Sequence, residues 1–205
     1  VSLEHISLLT KFSLPSLMIG LLQGSANWTC VALLSRLPNG LNDLAIYHIV
    51  NQWYSLVLFV PNVASSVLLP FLSGGRNNYS ITPLLKAYAI ASSLAALLLC
   101  FAAPLVILLY GEILAGGLSL LIITFVTGAV VATKSPLEQY LLSKTKVWGL
   151  FYINLFFVIV FVVLTKALLD AGGGVLEVIV ARLVSYILFF ILCVQLFNRY
   201  SKNEK

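Results

Sequence analysis

The chain has 205 residues, 60% of them hydrophobic and only 9% charged, with a net charge of +5. Soluble domains carry about 25% charged residues, so this composition leaves too little polar surface for a water-soluble globule and points to a membrane protein. The basic residues are scattered over short loops beside apolar stretches, an arrangement suited to anionic lipid headgroups and not to nucleic acid.

Six apolar stretches follow one another: 12–35, 44–73, 84–110, 113–142, 147–169 and 175–197. Each approaches or exceeds the ~20 residues that cross ~30 Å of hydrocarbon as a helix. The expected fold is all-α, a polytopic bundle of six transmembrane helices forming a single domain over residues 1–205. No tandem repeat is visible, and linkers are short throughout.

The first stretch is too long and too poor in basic flank for a cleaved signal peptide, so it is expected to stay in the mature chain. It places Ser16, Gly20, Gln23 and Asn27 at spacings of four, three and four, which share one helical face. The segment RLPNGLND at 36–43 is rich in breakers and closes the first hairpin. In the second stretch His48, Gln52, Ser55, Asn62 and Ser66 fall near one face, with Asn51 close beside it. Two adjacent helices thus each offer a hydrogen-bonding stripe. Such stripes either join helices or line a hydrated cavity. The segment 73–80, SGGRNNYS, closes the second hairpin on the opposite side.

Pro15, Pro61, Pro70, Pro104 and Pro136 fall within or at the ends of the stretches and favour kinks. In the fourth stretch Lys134 and Glu138 are four apart with Pro136 between them, the spacing of an ion pair on one helix face that snorkels toward the interface. Arg182 lies well inside the sixth stretch, where a charge costs ~2.5 to 3.5 kcal/mol on insertion scales unless it meets water or a counter-ion. Glu177, five residues away, is poorly aligned to pair with it. Arg182 is thus either half of a structural ion pair, with Glu177 or Asp170 near the outer mouth, or, by a narrow preference, an anion-attracting group in a cavity. The residues expected to line that cavity are Gln23, Asn27, Asn51, Gln52, Lys134 and Arg182.

Lys11, Arg76, Lys86, Lys144, Lys146, Arg199, Lys202 and Lys205 fall on one side of this topology, while Arg36 and Lys166 fall on the other. The bias places both termini in the cytoplasm. Cys30, Cys100 and Cys193 sit in apolar segments without CxxC spacing, as buried small hydrophobes do. No phosphate loop, HExxH, GxSxG or close carboxylate pair occurs, so neither an enzyme nor a metal or other cofactor is expected.

Four segments carry a family resemblance: AIYHIVNQWYSLVLFVPN at 45–62, VLLPFLS at 67–73, FSLPS at 12–16 running on to Asn27 and Trp28, and APLVILLYGE at 103–112. In order and separation they resemble the C-terminal half of polysaccharide (O-antigen type) flippases of the multidrug, oligosaccharidyl-lipid and polysaccharide (MOP) exporter superfamily, over about residues 10 to 195. The resemblance implies one six-helix lobe of a MATE-like transporter in a bacterial inner membrane. Its cargo would be a lipid-linked oligosaccharide of the polyprenyl diphosphate type, and membrane lipid would surround it. An N-terminal lobe, or a second copy, would complete the central cavity. A cationic cavity suits a diphosphate cargo, which gives Arg182 and Lys134 a role; Gln23, Asn27, Asn51 and Gln52 would touch the glycan. Two alternatives are a drug or metabolite antiporter, for which Glu138 is the sole acidic coupling residue inside a span, and a non-transporting scaffold of glycan assembly.

Overall fold

The computed structural model describes residues 9–73, 81–144 and 146–203. Six α-helices account for nearly all of them: α1 (Leu14–Leu34), α2 (Gly40–Ser73), α3 (Ile81–Tyr110), α4 (Leu118–Ser143), α5 (Val147–Asp170) and α6 (Val175–Asn203). A single π-type turn, Leu9–Ser13, runs directly into α1, with Pro15 one residue inside that helix. Beyond Ser73, the last residue of α2, the expected turn at 73–80, with Arg76, lies outside the described residues, as does the terminal Lys205.

Three helix boundaries depart most from the expectation: α2 begins at Gly40, so half of the expected turn at 36–43 is helical, α6 runs on to Asn203, past the expected end at 197, and the fourth stretch starts late. Residues 113–117 do not begin α4. Gly111 and Gly116 adopt φ of 57° and 78°, a left-handed backbone that glycine enters without penalty, and a short 3-10 turn, Gly111–Leu114, fills the interval. At the opposite corner Glu177, in the first turn of α6, accepts the Gly174 N–H at 2.6 Å and caps the helix.

Among the described residues, five segments are long and apolar enough to cross a membrane: Thr10–Leu34, Pro83–Leu114, Leu118–Ser143, Val147–Asp170 and Val175–Arg199. The 34 residues of α2 also give it ample length, with His48, Asn51, Gln52 and Asn62 among its polar side chains and an uncharged, largely apolar run over 55–72.

The helices do not pack in a simple ring. Helix α4 is central and packs along α3, α2 and α6, while α6 packs along α5 and α5 along α1. Contact between α1 and α2, and between α2 and α6, is sparse. Two groups result, α2–α3–α4 and α1–α5–α6, joined mainly where α4 meets α6. Close approach of α2 to α4 depends on Gly128: a Cβ there would lie 2.6 Å from Val57 Cγ1. Small residues at such crossings let membrane helices gain packing that lipid cannot replace.

Aromatic rings fill the seam between α5 and α6, with Phe157 stacked on Tyr186 at 4.5 Å and edge-on to Phe189 at 5.7 Å. The outer surface is apolar to an extent that water would not tolerate. Phe101 and Leu108 are each 77% exposed and Val163 62%. The three cysteines are free, Cys30 and Cys193 buried and Cys100 partly so.

Candidate functional site

Where α2 stands off from α1 and α6, a cavity of about 230 Å³ lies among α1, α2, α5 and α6. Gln23 and Asn27 reach it from α1, Asn51, Tyr54 and Ser55 from α2, Phe157 and Phe161 from α5, and Arg182 and Tyr186 from α6. Helical spacing explains the set: 23 and 27, 51 and 54, 157 and 161, and 182 and 186 are three or four apart, so each pair shares a face.

Arg182 is only 7% exposed. Its Nη1 donates to Asn51 Oδ1 at 3.0 Å and its Nη2 donates to the Tyr47 hydroxyl, which in turn donates to Asn27 Oδ1 at 2.7 Å. One relay of hydrogen bonds thereby crosses both sparse seams, from α6 to α2 and from α2 to α1. The guanidinium also lies 5.2 Å from the Tyr47 ring centre, 5.3 Å from Tyr54 and 5.9 Å from Phe161, positions in which ring faces attract a cation.

Every one of these partners is neutral. Among the described residues no carboxylate pairs with Arg182; Glu177, the nearest acid in sequence, is engaged with Gly174. Two of the five guanidinium N–H groups are used in the relay, and the charge itself is uncompensated. The chemistry on offer is attraction and bidentate hydrogen bonding of an oxyanion, surrounded by amides and aromatic faces that suit hydroxylated ligands.

A second polar bridge closes one flank of the cavity. Gln23 Nε2 donates to Asn154 Oδ1 at 2.9 Å, and Asn154 Nδ2 donates to the Leu150 carbonyl at 2.9 Å. Gln23, Asn27 and Asn51 each commit one amide atom to these networks, leaving the other amide atom for a ligand or water.

Of the six residues expected at the cavity, Gln23, Asn27, Asn51 and Arg182 come together there. Gln52 does not. It stands on the exposed face of α2 with His48, Ser55, Asn62 and Ser66, about 100° around the helix from Asn51. Of that stripe only Ser55 also reaches the cavity rim. Its serines are satisfied locally, Ser55 by the Asn51 carbonyl and Ser66 by that of Val63, whereas Gln52 and Asn62 have no hydrogen-bond partner among the described residues.

Lys134 is also outside the cavity. It pairs with Glu138 at 2.8 Å, as the spacing predicts, and is 3% exposed, buried rather than snorkelling. Its Nζ lies 4.3 Å from the Phe189 ring centre and 5.5 Å from that of Tyr186, so a Tyr186 ring separates it from the space around Arg182. Tyr47, Tyr54, Asn154 and Tyr186 were not among the expected residues. Asn154 had a signal, a lone amide in an otherwise apolar span; the tyrosines resemble ordinary interfacial aromatics in sequence.

The chain is 30% identical over 70 residues to the "EPS I polysaccharide export inner membrane protein EpsE" of Ralstonia solanacearum, and 29% identical over 70 residues to the protein of the same name in Ralstonia nicotianae. In both cases the matched segment covers 34% of this chain and 16% of the relative. No protein-family model and no solved structure matches the chain significantly.

Proposed function

We propose that this chain is a multi-pass inner-membrane component of polysaccharide export, and that it forms one lobe of a MOP-type flippase moving a lipid-linked oligosaccharide of the polyprenyl diphosphate type between leaflets. The observation that carries the reading is a buried arginine held only by neutral groups at a polar cavity inside an apolar bundle. A diphosphate supplies the missing negative charge, and the amides of Gln23, Asn27 and Asn51 suit the first sugars. The likeness to an export protein of the bacterial inner membrane supports the cargo class, and the apolar helices support the location.

Under this reading all six helices cross, α2 included, and both termini are cytoplasmic, an orientation that the basic bias of the loops supports. Gln52 and Asn62 then face an N-terminal lobe or a second copy, since lipid would leave their amides unsatisfied. Helices α1 and α2 barely touch, and sparse seams of this kind suit a lobe that opens and closes. The protein supplies binding and passage, with no covalent step.

Export in cells carrying variants of the intact transporter tests the proposal. Arg182→Ala is expected to reduce export of an anionic lipid-linked glycan at least tenfold at unchanged membrane abundance. Arg182→Lys keeps the charge but loses the planar fork and is expected to retain part of the activity. Parental export by an Arg182→Ala protein that inserts normally would defeat the proposal.

A further inference from the structure

On the side of α4 away from the Arg182 cavity, α3 and α6 flank α4 but barely touch one another. The gap between them is a groove formed by two cavities, of about 430 and 220 Å³, that share Thr133 and Phe190. The larger reaches Cys100 on α3, and the smaller ends at Lys86 near the start of the same helix. Fourteen residues separate those ends, a helical rise of ~21 Å. That exceeds half of the ~30 Å hydrocarbon thickness, the reach of a chain rooted in one leaflet.

The floor of the groove is mostly apolar, with Ser93 and Thr133 as its hydroxyl groups. Thr133, its central polar group, donates its hydroxyl proton to the Ala129 carbonyl at 2.8 Å and stands 3.1 Å from the Ser92 hydroxyl, so it asks nothing of an occupant. The smaller cavity is lined by apolar side chains, Thr133 and one cation, the exposed Lys86. That cation lies at the end of the antiparallel α3–α4 pair that also carries Lys144 and Lys146.

An apolar trench of hydrocarbon length with a single basic residue at its interfacial end has the chemistry of a phospholipid in profile. We infer that this groove is a binding site for one acyl chain of an anionic membrane phospholipid, with the headgroup phosphate on Lys86. The attraction of a basic residue near an anionic surface is worth ~1 kcal/mol, which favours an anionic over a zwitterionic headgroup by about fivefold. The site is separate from the Arg182 cavity, and its occupancy does not depend on the export cargo.

Native mass spectrometry of the intact protein released from equimolar phosphatidylglycerol and phosphatidylcholine reads this directly. The parental protein is expected to retain phosphatidylglycerol several-fold over phosphatidylcholine. Lys86→Gln should abolish the preference while lipid is still retained, and Lys86→Arg should keep it. Ala129→Leu, which raises the groove floor, should lower retention of both lipids, with circular dichroism confirming that the variant is folded. Lys11→Gln, a basic residue away from the groove, should change nothing. Equal retention of the two lipids by the parental protein, an equal effect of Lys11→Gln and Lys86→Gln, or release as a lipid-free dimer whose groove is filled by a second copy would each overturn the inference.

Discussion

At Arg182 the neutral acceptors Asn51 and Tyr47 stand where a buried ion pair would place a carboxylate, and that substitution decides what the cavity attracts. A carboxylate would cancel the charge; amide and phenol oxygens orient the guanidinium and leave its field intact. Asn51 is therefore expected to matter to the fold as well as to the cavity. Asn51→Leu strands a buried guanidinium N–H and should destabilise the protein by about 1–3 kcal/mol, read as a lowered unfolding midpoint in detergent. Gln52→Leu, next in sequence but on the exposed face, should shift it by less than about 0.5 kcal/mol. Equal effects at both positions would contradict the orientation of α2. The two residues also mark where sequence reasoning reached its limit. Periodicity identifies a polar face on α2 but cannot say whether that face meets the bundle or its surroundings, because the inward set of Tyr47, Asn51 and Tyr54 mixes one amide with two aromatics.

Among the helices, α4 holds the largest share of the packing, and its fit against α2 rests on a single missing side chain. Gly128→Ala would place a methyl group 2.6 Å from Val57 Cγ1, closer than carbon atoms can approach. Overpacking of this kind should cost about 1–3 kcal/mol in the detergent unfolding midpoint. Val57→Ala in the same protein should recover most of the loss, since it removes the clashing atoms, and the double-mutant cycle should show strong coupling. Simple additivity would place α2 farther from α4 than described. Hydropathy made the number of helices and most of their boundaries legible. It failed between Ile113 and Gly117, where the residues are apolar enough for helix but the left-handed glycines at 111 and 116 turn the chain first. Sequence neighbours also proved a poor guide to packing partners: α1 lies along α5 and only grazes α2.

For the whole molecule, the two helix groups and the seams between them connect the cavity to its use. Among the described residues one side-chain hydrogen bond, from the Tyr47 hydroxyl to Asn27 Oδ1, spans the sparse seam between α1 and α2. Bridges of this kind contribute on average ~0.6 kcal/mol each in membrane proteins, weak enough to break and reform in the opening and closing that the proposed flippase function calls for. The aromatic seam of Phe157, Tyr186 and Phe189 keeps α5 and α6 together meanwhile, and the Lys134–Glu138 pair holds its charges away from the Arg182 space behind the Tyr186 ring. Among the described residues Arg182 is thus the one cation that lines the cavity. Competition binding on the purified intact transporter, with a labelled polyprenyl-diphosphate-linked glycan displaced by unlabelled polyprenyl diphosphate or by polyprenol, tests this most directly. The diphosphate is expected to compete at least tenfold better than the alcohol, and Arg182→Ala should erase that difference while leaving the protein folded. Equal competition by the uncharged polyprenol in the parental protein would contradict an anion-binding cavity at Arg182.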